Sequence, residues 1–335
     1  MKTAAPTNSK AGAKLGLVVG KFYPPHKGHH FLINTAKQHC DRLIVMVVEG
    51  KNQHPDGSTR MQWLKTAHPD VEVRLIEDIY DDDNSQAWAA YTMKLLGRSP
   101  DIVFTSETYG DPWARAMGSE HMLVDLERKV VPISASMVRS DPLKKWQFLD
   151  PPVRAHYGKR VVIVGAESTG KTTLATALAD HYKTSWVPEY GRMYTGGKIT
   201  SEAGAEWESE EFRFIAEEQN RLEDMLAGYS NKLLICDTDA VATAVWHEHY
   251  MKSWSKEVEA LYENRDNAFY LVTDYHIPYK QDSIRVGEDS RSLMHERFVE
   301  LLDKLGRPYV VISGTPEERL KQAVTQCDAV LADPH

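Results

Sequence analysis

The sequence is poor in cysteine and has no long apolar run. Its three cysteines, Cys40, Cys236 and Cys327, lie far apart and form no CxxC pair. This pattern excludes a disulfide framework and a zinc ribbon, and it favours a reducing compartment, which we expect to be the cytoplasm. No stretch approaches the roughly 20 apolar residues of a membrane-spanning helix, and the first residues lack the apolar segment of a secretory signal.

The sequence also lacks an excess of basic residues. Lysine and arginine number 40 against 48 aspartates and glutamates, which gives a formal net charge of −8. Broad nucleic-acid binding needs a basic face, so we expect no nucleic-acid partner. A few local cations are still enough to bind an anionic small molecule. The hydrophobic content of 42% and the length of 335 residues are typical of a globular protein with two domains.

Short apolar runs alternate with helix-length segments in two series, which predicts an α/β fold. The runs of the first series are Leu15–Val19, Arg42–Val48, Val71–Ile76 and Asp101–Thr105, and those of the second are Arg160–Gly165, Lys232–Asp237, Ala268–Thr273 and Pro308–Ser313. We therefore expect two domains, each a parallel sheet flanked by helices. The predicted boundaries are a disordered tail at 1–13, a first domain at 14–150, a linker at 151–159 and a second domain at 160–335.

The segment "GAESTGKTT" matches the phosphate-loop pattern G-x-x-x-x-G-K-[ST] between a predicted strand and a predicted helix. Its backbone N–H groups and the helix N-terminus favour bound phosphate. We expect Lys171 to neutralise the β- and γ-phosphates of ATP and Thr172 to bind Mg²⁺. The predicted ATP contacts in this loop are Gly165, Glu167, Ser168, Thr169, Gly170, Lys171, Thr172 and Thr173. The absence of an N-K-x-D motif favours a kinase over a GTPase.

Carboxylates at strand ends supply candidates for the remaining kinase chemistry. Asp237 ends an apolar run, where a carboxylate can hold Mg²⁺ together with Thr172. Glu189 follows a short apolar piece and is a candidate base for the acceptor hydroxyl, with Asp237 and Asp239 as competitors. Arg285 and Arg291 lie in a polar stretch that is typical of a mobile lid, whose arginines contact ATP and stabilise the transferring phosphoryl group. A solvated charged loop explains this stretch equally well.

The segment "GKFYPPHKGHH" collects glycines, prolines, lysines and histidines directly behind the first apolar run. A metal site is one interpretation, but no HExxH motif or nearby carboxylate completes a ligand set. A phosphate site explains the segment better. Gly28 lets the backbone approach a ligand, His29 begins a helix, and His26 and His29 can donate hydrogen bonds to phosphoryl oxygens. Lys21 adds a positive charge.

This segment resembles the GxFxPxHxGH signature of the nucleotidyltransferase superfamily. The later stretch "ISASMVR" resembles the second signature of that superfamily, ISxTxxR, with Ser136 at the position where threonine is usual. Such a domain followed by a phosphate-loop kinase resembles the bifunctional NAD-salvage proteins of the NadR type, from about residue 14 to 328. Those proteins join nicotinamide-mononucleotide (NMN) adenylyltransferase to ribosylnicotinamide kinase. Some members carry an N-terminal helix-turn-helix, which we do not expect here.

The resemblance implies roles for residues in both domains. Besides the catalytic Lys21, His26 and His29, the expected ATP contacts of the adenylyltransferase are Gly20, Phe22, Gly28, Ser134, Ser136 and Arg139. For NMN we expect Arg60 at the phosphate and Trp63 or Trp113 at the pyridinium ring, although each tryptophan is as well explained by packing. The expected riboside contacts are Glu189, Tyr190, Arg192 and Asp239, with Trp186 and Trp207 as weaker aromatic candidates.

The implied substrates and products are ATP, nicotinamide riboside, NMN and NAD, with Mg²⁺ as the cofactor. The sequence leaves the oligomeric state open, including a homo-oligomer. Two other functions also stay open. One is an adenylyltransferase with a different phosphate acceptor and a regulatory ATP-binding domain. The other is a nucleotide sensor that controls a partner.

Overall fold

Two parallel sheets of five strands organise the chain. The structure is a computed structural model that describes residues 12–81, 84–199, 206–265, 268–276 and 290–333. It separates into two units, the first ending at Val153 and the second beginning at Arg154. Among the described residues, no helix combines the length and apolar character needed to cross a membrane.

The first unit is a sheet with the strand order β3-β2-β1-β4-β5 and helices on both faces. Its strands are β1 (Leu15–Gly20), β2 (Arg42–Glu49), β3 (Glu72–Glu77), β4 (Ile102–Thr105) and β5 (Glu120–Leu123). Its helices are α1 (Lys27–Lys37), α2 (Gly57–Ala67), α3 (Ser85–Leu96), α4 (Gly110–Met117) and α5 (Ala135–Ser140). The strand order reverses beside β1, which leaves a crevice at the carboxyl ends of β1 and β4, where such sheets bind ligands.

The second unit has the strand order β10-β9-β6-β8-β7. Its strands are β6 (Lys159–Val164), β7 (Trp186–Val187), β8 (Leu233–Asp237), β9 (Ala268–Thr273) and β10 (Tyr309–Ile312). The helices from the junction onward are α6 (Pro151–Tyr157), α7 (Lys171–Tyr182), α8 (Tyr190–Ile199), α9 (Ser209–Ala227), α10 (Ala240–Met251), α11 (Lys256–Ala260), α12 (Ser290–Lys304) and α13 (Pro316–Ala332). Helix α6 occupies most of the predicted linker.

Strand pairing in the second unit brings the predicted site residues to one edge of the sheet. Strand β6 runs between β8 and β9, and Ile163 pairs with Asp237 just before the phosphate loop begins. Val187 pairs with Cys236, so the chain leaves β7 beside the end of β8. Glu189, two residues later, therefore emerges close to Asp237.

The predicted α/β class is confirmed in both units. The runs predicted as strands are strands. The central ones are largely buried, as expected in a parallel sheet covered by helices, whereas β3 and β10 lie at sheet edges and are only partly buried. Strands β5 and β7 were not among the predicted strands. Strand β5 is partly exposed at the edge of its sheet, and β7 has only two residues, so neither carries a strong apolar signal.

Candidate active sites

The turn between β1 and α1 forms a cradle built around two stacked imidazoles. His26 caps α1, and its Nδ1 accepts the backbone N–H of Gly28 at 3.1 Å and of His29 at 3.4 Å. The two rings stack at 3.7 Å, and Phe22 packs edge-on against His29 at 4.9 Å. A Cβ at Gly28 would lie only 3.0 Å from the His26 ring, so glycine permits this close approach. Because its Nδ1 accepts, the neutral His26 ring keeps its N–H on Nε2.

Burial makes both imidazoles of the cradle hard to protonate. It lowers the pKa of His26 from its ordinary value of 6.5 to about 3, with smaller contributions from His30 and Arg128. Burial also holds the pKa of His29 well below 6.5, and the adjacent His26 adds to this effect. Both rings are therefore neutral at pH 7 in the absence of ligand, and a neutral imidazole still donates one hydrogen bond.

His30 belongs to a different network, which argues against the metal interpretation. Its Nδ1 lies 2.8 Å from Nε2 of His68, and its Nε2 lies 2.8 Å from a carboxylate oxygen of Asp150. The three histidines of the motif therefore do not converge on one point. Within the described ranges, no group of three His, Cys, Asp or Glu side chains is placed to hold a metal ion.

The two signature segments of the first unit come together in space. Ser134 caps α5, and its hydroxyl lies 2.9 Å from that of Ser136. Arg139, on the same helix, donates a hydrogen bond to the carbonyl of Tyr23 and covers the Tyr23 ring at 4.8 Å. The hydroxyl and guanidinium groups of the second signature therefore border the turn that carries the stacked histidines.

Arg60 is placed differently from the prediction. Its side chain is fully buried, and its guanidinium donates to the carbonyls of Lys21, Val48 and Asp56 and to the side-chain oxygen of Gln53. Four of its five N–H groups are thus used within the protein. Arg60 therefore fixes the loops around the cradle. Because most of its donors are already used there, the predicted contact with the NMN phosphate is corrected.

Of the two tryptophans predicted for the pyridinium ring, one needs correction. Trp113 is 4% exposed and packs in the core with Leu17 and Val103, so its ring offers no open face. Trp63 is half-buried on α2. Its predicted role stays a prediction.

An aromatic patch that sequence reasoning missed lies just after β3. Trp88 packs edge-on against Tyr80 at 5.7 Å and against Tyr91 at 6.0 Å, and Tyr80 is 39% exposed. The patch follows Asp78, whose carboxylate lies 3.1 Å from the ammonium of Lys21. The signal was three aromatic residues close together in the sequence after a buried strand.

Arg128 is a second residue that the motifs did not reveal. Its charge helps to lower the pKa of both His26 and His29, and its guanidinium lies 2.8 Å from the carboxylate of Glu107. The loop that carries it is held by the Asp125 carboxylate, which accepts three backbone N–H groups. Only the folded loop, and no local pattern, brings this cation near the cradle.

In the second unit, the phosphate loop depends on one glycine and two threonines. Gly165 has φ +145°, and a Cβ there would collide with the hydroxyl of Thr273. The Thr169 hydroxyl donates to the carbonyl of Ala166 at 2.7 Å and lies 2.6 Å from the Thr273 hydroxyl. Lys171 is buried, and its ammonium donates to the same carbonyl at 3.0 Å. The loop is therefore fixed before phosphate arrives.

Thr172 and Asp237 form the predicted metal pair. The Thr172 hydroxyl donates to Oδ2 of Asp237 at 2.5 Å, while Oδ1, also buried, has no hydrogen-bond partner in the described structure. Burial raises the pKa of Asp237, although Lys171 opposes the effect. A hydroxyl beside a carboxylate oxygen with spare capacity fits Mg²⁺, which prefers oxygen ligands.

A cavity of about 290 Å³ adjoins the phosphate loop. Its lining comprises Glu167 to Thr173 of that loop, the side chains of Glu189 and Arg192, and the aromatic residues Trp207, Phe212, Trp246 and Tyr250. Burial raises the pKa of Glu189, with Asp237 adding to the rise and Lys171 opposing it. The cavity thus joins a phosphate cradle to a carboxylate and a flat, apolar pocket.

Comparisons with known proteins match both units. A cytidylyltransferase-like family model matches residues 17–141, and an AAA domain model matches residues 160–319. The trifunctional NAD biosynthesis/regulator protein NadR of Escherichia coli is 27% identical over 87% of this chain and 76% of its own length. A nicotinamide-nucleotide adenylyltransferase of Thermococcus kodakarensis is 26% identical over 53% of this chain and 99% of its own.

A crystal structure of NadR in complex with NR has a TM-score of 0.75 at 21% identity and covers 96% of this chain and 97% of the NadR chain. A NadR structure in complex with NAD and AMP-PNP has a TM-score of 0.73. This chain is similar to NadR over most of its length. The structural likeness extends the shared fold across both units.

Asp239 of this NadR-like chain does not reach the cavity. Its Oδ1 caps α10 by accepting the N–H of Ala242 at 2.9 Å, and its Oδ2 accepts the Tyr270 hydroxyl at 2.6 Å. Arg307 donates to that same hydroxyl at 2.5 Å. Both carboxylate oxygens are used in the fold, so the predicted riboside contact and the competing base role of Asp239 are corrected. Glu189 and Asp237 remain.

Other predicted residues fall outside the cavity or outside the described chain. The Tyr190 ring packs against Phe214 at 6.0 Å, and its riboside contact stays a prediction. Trp186 packs against the core of the sheet. Arg291 is 3% exposed at the start of α12. Arg285 lies outside the described residues.

We predict that acid destabilises the first unit through its buried histidines. The pKa of His26 is lowered to about 3 and that of His68 to about 4, against 6.5 for an ordinary histidine. As pH falls below about 6.5, the unfolded chain binds protons that the folded chain does not, so the free energy of unfolding decreases. The slope is about 1.4 kcal/mol per pH unit for each such histidine. Urea denaturation of the full chain at several pH values checks this.

The variant His68→Gln supplies the control for this prediction. It keeps a polar side chain near His30 and removes one titrating group, so the acid slope should become shallower. An equally steep slope in His68→Gln would contradict the assignment to this residue.

We also predict that Asp239 acts on stability and not on catalysis. Asp239→Ala removes the α10 cap and leaves the buried Tyr270 hydroxyl with one partner fewer, which should lower the free energy of unfolding by about 2–4 kcal/mol. ATP affinity of the second unit, measured below the unfolding transition, should change little. Loss of affinity for ATP or the riboside at unchanged stability would contradict this prediction and support an active-site role for Asp239.

Proposed function

We propose that this chain is a bifunctional enzyme of NAD biosynthesis. One activity phosphorylates nicotinamide riboside with ATP, and the other joins the resulting NMN to a second ATP, forming NAD and pyrophosphate. The observation that carries the proposal is the presence of two separate phosphate cradles, one in each unit, in a chain that resembles NadR over 87% of its length.

The second unit supplies the parts of a riboside kinase. The riboside 5′-hydroxyl loses its proton to Glu189 and attacks the γ-phosphorus, the bond to the β-phosphate oxygen breaks, and ADP leaves. The raised pKa of Glu189 suits a proton acceptor, because a more basic carboxylate takes the proton more readily. Lys171 and the backbone of the phosphate loop stabilise charge on the transferring group. When bound, Mg²⁺ would be held by Thr172 and Asp237 and would neutralise phosphate charge.

The first unit supplies the parts of an adenylyltransferase. A phosphate oxygen of NMN attacks the α-phosphorus of ATP, the bond between the α-phosphorus and the bridging oxygen breaks, and pyrophosphate leaves. No covalent enzyme intermediate is required, because the attacking phosphate is already a nucleophile. Catalysis therefore depends on position and on hydrogen bonds to the developing charge. His26, His29, Lys21 and the side chains of Ser134, Ser136 and Arg139 are the donors we assign to it.

Flat aromatic surfaces in both units suit a pyridinium ring. A cation over an aromatic face is stabilised by the ring quadrupole. In the second unit, Trp207 and Tyr250 both line the cavity, and their ring centroids lie 5.4 Å apart. In the first unit, we assign this role to the patch of Tyr80, Trp88 and Tyr91, which takes the place of Trp113.

The decisive experiment is incubation of the purified protein with nicotinamide riboside, ATP and Mg²⁺. Formation of NAD supports both activities. NAD from added NMN only would leave the adenylyltransferase and make the second unit a regulatory ATP-binding domain. No turnover of either substrate would favour a sensor.

We predict that the two activities separate by mutation. Lys171→Ala removes the ammonium that neutralises the γ-phosphate, so riboside phosphorylation should be abolished while NAD formation from NMN persists. His29→Ala should do the reverse and lower the rate of adenylyl transfer about a hundredfold, because one hydrogen-bond donor to the transition state is lost. Each variant is the control for the other, and loss of both activities in either folded variant would contradict independent sites.

We predict that Glu189 and Asp237 differ in their response to Mg²⁺. Glu189→Gln keeps the shape and removes the proton acceptor, so the kinase rate should fall steeply at every Mg²⁺ concentration while ATP still binds. Asp237→Asn removes a metal-holding oxygen, so high Mg²⁺ should restore part of its rate. Kinase assays across a Mg²⁺ series check this. A near-normal rate in Glu189→Gln would assign the base role to Asp237.

A further inference from the structure

Lys198, on α8, lies against Trp207 and outside the cavity that this tryptophan lines. Its ammonium is 4.7 Å from the centre of the Trp207 ring. The same ammonium donates to the two carboxylate oxygens of Glu211 at 2.7 and 2.6 Å and to the backbone carbonyl of Glu206 at 2.5 Å. One cation is therefore held over the ring by three oxygens.

Glu211 ties this arrangement to the start of α9. Its carboxylate also accepts the hydroxyl of Tyr194 at 2.8 Å and the backbone N–H of Glu208 at 2.8 Å, where it completes the capping box of α9. The side chains of Lys198 and Glu211 are only 13% and 16% exposed. The Glu211 carboxylate thus links α8 to the start of α9. Through Lys198 it is also linked to Trp207, the cavity-lining residue between the two helices.

A largely buried ion pair contributes little net stability, because desolvation offsets the attraction between its charges. What it does provide is a defined geometry. Trp207 precedes α9 by two residues and packs against Phe212 at 4.9 Å and Tyr250 at 5.4 Å. Without the cation, the indole would lose one of the contacts that hold it, and the ring could tilt about its side-chain bonds.

We propose that Lys198 is a positioning residue for riboside binding: with Glu211, it fixes Trp207 as a wall of the ring pocket. The inference rests on the proposed kinase function, because it assigns the aromatic rings of the cavity to the pyridinium ring. Lys198 is not among the residues that line the cavity, whereas Trp207, which it contacts, is, so its effect on the riboside passes through Trp207. Its loss should therefore weaken binding of the riboside and leave ATP binding and the chemical step unchanged.

The test compares Lys198→Met, which keeps the apolar stem and removes the charge, with Lys198→Arg, which keeps the charge. In Lys198→Met, the KM for nicotinamide riboside should rise about five- to tenfold, the range expected for loss of a cation–π contact. Its kcat and its KM for ATP should stay within about twofold of the parent values. Lys198→Arg should restore most of the affinity. Lys256→Met, an exposed lysine on α11, is the matched control.

A double-mutant cycle separates positioning from a general structural effect. In a Trp207→Leu background, Lys198→Met should cause no further rise in the KM for the riboside, because the residue through which it acts is absent. An equal rise in both backgrounds, or an equal rise in the KM for ATP, would overturn the proposal. Retained kcat and retained KM for ATP in the kinase reaction, measured in the same samples, show that the second unit, which carries both substitutions, is folded.

A readout without substrate keeps the inference separate from the proposed function. The chain is labelled with 5-fluorotryptophan, and the ¹⁹F resonance of Trp207 is assigned by its loss in Trp207→Phe. Lys198→Met should shift and broaden this resonance, whereas Lys256→Met should not. An unchanged Trp207 resonance would overturn the positioning role, whatever the kinase assay shows. Absence of riboside phosphorylation by the parent protein, with a shifted resonance in Lys198→Met, would overturn the proposed function alone.

Discussion

Parallel strands deliver their carboxyl ends to one edge of a sheet, and both candidate sites depend on this constraint. At that edge, each unit has a glycine-bearing turn that leads from its first strand into a helix whose N–H groups face outward. Side chains at the ends of the other strands then lie beside this turn, even when they are far from it in the sequence. Asp237 and Glu189 meet the phosphate loop in this way, and the second signature segment meets the histidine turn.

At the same edge, burial removes water from ionisable groups, and this favours the neutral form of each of them. Burial keeps His26 and His29 neutral, so they act as hydrogen-bond donors without a fixed positive charge. Burial makes Glu189 and Asp237 more basic, since their charged forms are less well solvated. The fixed positive charge comes from Lys171 and the backbone dipoles in the second unit.

Local sequence was sufficient wherever the chemistry is carried by neighbouring residues. The glycine, lysine and threonine pattern at 165–173 and the histidine turn at 20–30 fix their own backbone, so their positions could be predicted, whereas the roles of their residues belong to the proposed function. Arg60, Trp113 and Asp239 have suitable side chains, but the fold uses them elsewhere. Arg60 binds loop carbonyls, Trp113 packs in the core and Asp239 caps a helix. Arg128 and Trp246 reach their sites only through folding, so no pattern of neighbours could reveal them.

The chemistry of the two proposed reactions explains why one chain would carry both cradles. The kinase reaction places a phosphate on the riboside, and that phosphate is the nucleophile which the adenylyl transfer requires. Each step uses a different phosphorus of ATP: the γ-phosphorus accepts a hydroxyl, and the α-phosphorus accepts a phosphate. The two steps therefore need different partners around the same triphosphate. The hydroxyl needs a base and a metal-holding carboxylate, and the carboxylates of the second unit match this need. A nucleophile that is already anionic needs only position and hydrogen-bond donors, and the imidazoles of the first unit match that need.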